Sequence, residues 1–150
     1  MKLKVKIVDK RITPDMIGYK SAGAGAIDLY VLPNPDERDN LVFGETPQRF
    51  ETGICVELPQ GYGGVIIPRS GVGTKGIYLA NTTGLVDQDF RGIITLNLCC
   101  RGSSSGLKID SPTRIAQMMI VPLPQFEIEF VDELSVTERG SGGFGSTGTK

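Results

Sequence analysis

Apolar and charged positions alternate with a period of two from the start of the chain, where Leu3, Val5 and Ile7 are separated by lysines. Such alternation predicts a strand with one apolar face over 2–8. Residues 26–31, 50–58, 64–68, 92–100, 114–121 and 126–131 read as further short strands. Clusters of Gly, Pro, Asn or Asp separate most of them. No segment carries a sustained 3.6-residue repeat. Residues 70–75 have room for one or two helical turns after Pro68, with Ser70 as N-cap. The polar, proline-rich stretch 33–47 predicts a surface excursion. Beyond Ser135 too few apolar side chains remain to pack against anything. The pattern predicts an all-β fold, a sandwich or jelly-roll β-barrel over 1–134, followed by a mobile C-terminal arm over 135–150.

Composition narrows the chemistry. A chain of 150 residues fits one domain with a core of its own. The formal net charge of −1 argues against a broad electrostatic grip on nucleic acid, so no stable nucleic-acid binding is expected. The apolar runs are too short to span a membrane. The alternating start reads as a strand and not as a signal peptide. Three cysteines, Cys55, Cys99 and Cys100, are an odd number and read as reduced core residues. These features lead to the expectation of an intracellular protein, cytoplasmic in a bacterium, with the nucleus open to it in a eukaryotic host. Histidine is absent altogether. That excludes Ser-His-Asp and Cys-His nucleophiles and argues against the ordinary zinc sites. A general base must then be Asp or Glu, and a metal would be a hard cation on oxygen ligands, Mg²⁺ above all.

Five segments carry candidate chemistry. The tail 139–150 reads RGSGGFGSTGTK. Its glycines leave backbone N–H groups free to close around phosphate oxygens, and Arg139 offers a planar donor fork. Phe144 has nothing nearby in sequence to bury it, which suits a ring that lies against a flat ligand. The tail reads as a lid over a nucleotide. It also contains a G-x-G-x-x-G match at 140–145 and a near-miss of a phosphate-binding loop ending at Lys150. Both are set aside, because no helix can follow in the few residues left. The segment 84–92, GLVDQDFRG, places Asp87 and Asp89 between glycines at a turn, and either could deprotonate a water. In a hairpin the two acids would share one face and Phe90 would take the other. At 68–76 Arg69, Ser70 and Gly71 follow a strand end and open a helical turn, a combination that suits an anion. Asp28 is a lone acid in an apolar strand, costly unless paired, hydrogen-bonded or near a metal. Arg114 and Gln117 stand on opposite sides of another apolar strand.

Taken together and in order, these segments resemble the five motifs of the trimeric dUTPase family, from about Ala24 to Gly148. The resemblance implies a distorted jelly-roll barrel and a homotrimer whose active sites are shared, each arm closing over a neighbouring subunit's site. It implies hydrolysis of dUTP to dUMP and pyrophosphate, with Mg²⁺ as cofactor. In the cell this would limit uracil incorporation into DNA and supply dUMP for thymidylate synthesis. By the same resemblance Asp87 activates the water that attacks the α-phosphorus, and Gln117 holds that water or the α-phosphate. Asp28 would sit near the Mg²⁺, mostly through water, while the triphosphate holds the ion. Arg69, Ser70 and Gly71 would bind phosphate oxygens, with Arg114 in support. Asn81 and the backbone from Gly84 to Val86 would read the uracil edge. Phe144 would stack on uracil, and Arg139, Gly145, Ser146 and Thr147 would complete the clamp. Phe90 stands where the family usually has tyrosine. Its ring still offers the deoxyribose an apolar face, so preference for dUTP over UTP is expected to survive. A dCTP deaminase on the same fold and a dUTP-sensing module without turnover are the rival readings. The intact 84–92 segment and the complete tail favour hydrolysis.

Overall fold

The computed structural model describes residues 1–34, 41–42, 44–102, 107–109 and 111–143. Within them run eleven strands: β1 (Lys4–Ile7), β2 (Ile27–Val31), β3 (Leu41–Val42), β4 (Gln48–Glu51), β5 (Ile54–Glu57), β6 (Tyr62–Pro68), β7 (Ile77–Leu79), β8 (Gly84–Val86), β9 (Thr95–Cys100), β10 (Leu107–Lys108) and β11 (Thr113–Pro122). Every strand pairing is antiparallel. A four-stranded sheet has the order β2-β11-β6-β8, and a three-stranded sheet the order β4-β9-β7. The pairs β1-β5 and β3-β10 complete a jelly-roll-like fold. One apolar core draws on all four sheets, with Leu29, Ile54, Ile77, Leu96, Leu98, Ile115 and Met118 almost fully buried. No helix among the described residues is long and apolar enough to cross a membrane.

The stretch 50–58 is not one strand. β4 pairs with β9 and β5 with β1, so the chain changes sheets at Thr52 and Gly53. Gly53 has φ +71°, and a Cβ there would come within 2.9 Å of Leu32 Cδ1 and 3.0 Å of Asp9 Cβ. Thr52, buried beside it, donates its hydroxyl to the Ile94 carbonyl at 2.8 Å. The corner is stitched to the 8–12 turn, because the Val8 and Asp9 N–H groups both donate to the Gly53 carbonyl. Arg11 donates to both carboxylate oxygens of Asp9 (3.0 and 2.8 Å) and to the Pro33 carbonyl (2.8 Å). These hydrogen bonds hold the Asp9 pKa down at about 2.

Three further expectations change. Residues 126–131 form no strand: their alternation is real, yet Phe126 is 81% and Phe130 95% exposed, and among the described residues no strand pairs with them. Prolines at 122 and 124 end the β11 ladder, since proline cannot donate to it. The 33–47 excursion contains β3, paired with β10. Cys99 and Cys100 are buried as expected, whereas Cys55 is only half-buried; all three are free thiols.

Candidate active site

The buried acid of β2 organises the first part of the site. Asp28 is only 8% exposed, and its cost is met by two arginines. Arg114 Nη1 donates to Oδ2 at 3.1 Å, and Arg69 Nε is ion-paired with Oδ1 at the same distance. Arg69 lies just past the end of β6, where its own N–H donates to the Ile115 carbonyl at 3.0 Å. The helical turn α1 (Ser70–Gly73) begins there, with Arg69 and not Ser70 as its N-cap, so the Ser70 hydroxyl is not used for capping.

Arg114 and Gln117 do not stand on opposite sides. Pairing of β11 with β2 runs Arg114 to Tyr30 and then Ala116 to Leu29, so Ile115 is an extra residue in the ladder. A bulge of one residue inverts the alternation beyond it. Gln117 therefore pairs with Asp28 and opens into the same cavity as Arg114. This cavity of about 350 Å³ is lined by Asp28, Arg69, Ser70, Gly71, Arg114 and Gln117, together with Lys20 and the small residues 24–26. Lys20 was not singled out from the sequence. It stands just ahead of the Ala-Gly run, the only signal that could have marked it.

A second cavity, of about 230 Å³, gathers Asn81, Gly84, Val86, Asp87 and Phe90. The segment around Gly84 is not a hairpin: β7 pairs with β9, β8 pairs with β6, and 80–83 crosses from one sheet to the other. Thr82 takes φ +59° in that crossing, an uncommon backbone for a β-branched residue. From Asp87 to Phe90 the chain turns, with the Phe90 N–H donating to the Asp87 carbonyl at 3.2 Å. Strand alternation therefore does not govern where Asp87, Asp89 and Phe90 point. The turn is fixed from both sides. Gln88 accepts the Gly61 N–H at 2.9 Å, and Arg91 Nη1 donates to the carbonyls of Gln88 and Phe90. The Phe90 ring lies over Gly92, where a Cβ would fall 2.7 Å from Cζ. Arg49 of β4 lines the same cavity with no hydrogen-bond or ion-pair partner among the described residues. A cation in a polar strand edge carries no sequence signal of its role.

Among the described residues none lines both cavities. Arg139 lines neither; its Nε donates to the Gly142 carbonyl at 2.9 Å in an exposed turn. Phe144, Gly145, Ser146 and Thr147 lie outside the described residues. The first cavity carries a surplus of positive charge with an orienting acid beneath it, which suits a polyphosphate. The second offers backbone edges, an amide, an aromatic face and a solvent-exposed carboxylate, which suits a nucleoside beside a water-activating base.

Known proteins resemble this chain in sequence and fold. The sequence profile of the dUTPase family matches residues 14–148. The deoxyuridine 5'-triphosphate nucleotidohydrolase of Paraburkholderia xenovorans is 39% identical over 150 residues, covering 99% of both chains. The protein of the same name from Ralstonia pickettii is 38% identical over the same share. Among solved structures, the dUTPase of Staphylococcus bacteriophage 80alpha with dUpNHpp superimposes with a TM-score of 0.82 over 99% of both chains, at 24% identity.

Proposed function

The chain belongs to the dUTPase family, and from that premise we propose that it hydrolyses dUTP to dUMP and pyrophosphate, as a dUTP diphosphatase. The observation that carries the site assignment is the pair of cavities, one fit for a triphosphate and one for a deoxyuridine. In this reading Asn81 and the Gly84–Val86 backbone read the uracil edge, and close backbone approach leaves no room for a thymine methyl. Phe90 packs against the deoxyribose. Arg69, Ser70 and Gly71 hold phosphate oxygens, and Arg114 steadies the same region through Asp28. Asp87 takes a proton from the water that attacks the α-phosphorus, while Gln117, whose amide has no partner among the described residues, orients the water or the phosphate. Positioning and charge neutralisation carry the rate, with no covalent intermediate on the protein.

Mg²⁺ fits this donor set as an ion brought by the substrate. No cluster of three metal-ligating side chains occurs among the described residues. Asp28 pairs each oxygen with an arginine and keeps lone pairs for a metal-bound water. When bound, the ion would neutralise charge on the phosphates.

The working unit of this proposal is a homotrimer. Two cavities that share no described lining residue are joined if one chain supplies the phosphate cradle and a neighbour supplies Asp87. The exposed apolar side chains Phe126, Ile128, Phe130, Val131, Leu134 and Val136, set among acids, suit a segment that packs on another copy. Residues 135–150 then act as the arm, with Arg139, Phe144, Gly145, Ser146 and Thr147 closing over a neighbour's nucleotide. Free thiols suit a reducing, intracellular setting. The test is pyrophosphate release from dUTP, UTP, dCTP and dTTP in parallel, with and without Mg²⁺. Rapid Mg²⁺-assisted release from dUTP alone is expected; ammonia released from dCTP would overturn the reading.

A further inference from the structure

We propose that Lys20 is a phosphate-binding residue of the Asp28 cavity, the cation that matches the charge of a Mg²⁺-loaded triphosphate; this rests on the dUTPase reading and extends it to a residue outside the segments that carry the resemblance. The argument begins with charge. Arg69 and Arg114 are both paired with Asp28, so these three groups leave a net charge of only +1. Lys20 lines the same cavity and raises its total to +2. A fully ionised triphosphate carrying one Mg²⁺ has a net charge of about −2. Without Lys20 the cavity is short of that match by one unit.

Geometry supports the same assignment. Lys20 Nζ donates to the Asp15 backbone carbonyl at 2.9 Å, which places the ammonium and uses one of its three hydrogens. The Asp15 carboxylate accepts the Thr13 hydroxyl at 2.6 Å. That bond is the main cause of the lowered Asp15 pKa, and the field of Lys20 adds a smaller part. Residues 24–26, which line the cavity with Lys20, are Ala, Gly and Ala, and at Gly25 even an added Cβ would meet nothing within 4 Å. None of these three lining residues has a bulky side chain to keep phosphate oxygens from the ammonium. A lysine acts here as a point charge on a flexible stem, indifferent to which oxygens face it. Such a contact forms equally in ground and transition states, so its loss acts on KM and not on kcat.

The experiment compares Lys20→Gln and Lys20→Arg with the wild-type protein, in dUTP turnover and in calorimetric binding of inorganic tripolyphosphate. Lys20→Gln is expected to raise KM for dUTP about fivefold to tenfold with kcat within about twofold, as loss of uniform binding requires. Tripolyphosphate affinity should fall by a similar factor, and Lys20→Arg should restore most of both. Unchanged KM and unchanged tripolyphosphate affinity in Lys20→Gln would overturn the proposal. Failure of the wild-type chain to hydrolyse dUTP would overturn the dUTPase reading instead. Tripolyphosphate binding weakened by Lys20→Gln would still support Lys20 in that case.

Discussion

Asp87 stands exposed at the head of a turn that Gln88 and Arg91 hold in place. A carboxylate placed there is free to meet a water and a substrate without first breaking a bond within the chain. Asp87→Asn should lower kcat by about 10²- to 10⁴-fold, the range for loss of a general base. Affinity for a non-hydrolysable dUTP analogue, read by calorimetry, should stay within a few fold; lost binding would make Asp87 a structural residue. Gly92 makes a second test at this scale. Its backbone has no positive φ, so alanine is allowed there, but the new methyl must displace the Phe90 ring. Gly92→Ala should therefore reduce the preference for dUTP over UTP more than it reduces kcat on dUTP. Many of the residues that line the two cavities were marked in the sequence. A lone acid at Asp28 demanded partners, and its partners proved to be two of the arginines already singled out. The relation of Arg114 to Gln117 was not legible, because a single extra residue at Ile115 leaves no mark on an apolar pattern. Arg49 and Lys20 were missed because a surface cation looks the same whether or not a cavity lies beside it.

Among the elements, β1, β2, β6, β9 and β11 were legible as strands, the short β3, β7, β8 and β10 were not, and sheet membership was not legible for any of them. The run 50–58 is apolar enough for one strand, but alternation says nothing about which neighbour each half pairs with. The switch depends on Gly53, whose φ of +71° an alanine would adopt only under strain. Gly53→Ala should destabilise the fold by about 1–3 kcal/mol, more if Leu32 cannot shift. Chemical denaturation would show it as a lower midpoint at unchanged slope. Asp9 gives the same corner a pH dependence. Its folded pKa of about 2 lies below the ordinary 3.8, so its contribution is complete above pH 3.8 and lost as pH falls towards 2. The pair is partly exposed, which keeps the effect below about 1 kcal/mol. Asp9→Asn should thus be slightly less stable than wild type at pH 7, with the gap closing between pH 3.8 and 2. A gap that stays constant down to pH 2 would contradict the assignment.

For the molecule as a whole, the two cavities, which on our proposal hold complementary halves of one chemistry, share no described residue. The sequence marked candidate residues for both cavities; it could not show that the folded chain lines two cavities with no described residue in common. Nor did the alternation at 126–131 reveal that it pairs with no strand among the described residues. The central claim, one dUTP held by the cradle of one subunit and attacked under Asp87 of another, has a direct test. Asp87→Asn and Arg69→Gln subunits, each inactive alone, are mixed, refolded together and assayed for pyrophosphate release from dUTP. Sites shared between subunits predict recovery of roughly a quarter of the wild-type rate in a one-to-one mixture, the fraction of sites that draw both intact residues. Mixed trimers that form and remain inactive at every ratio would contradict it.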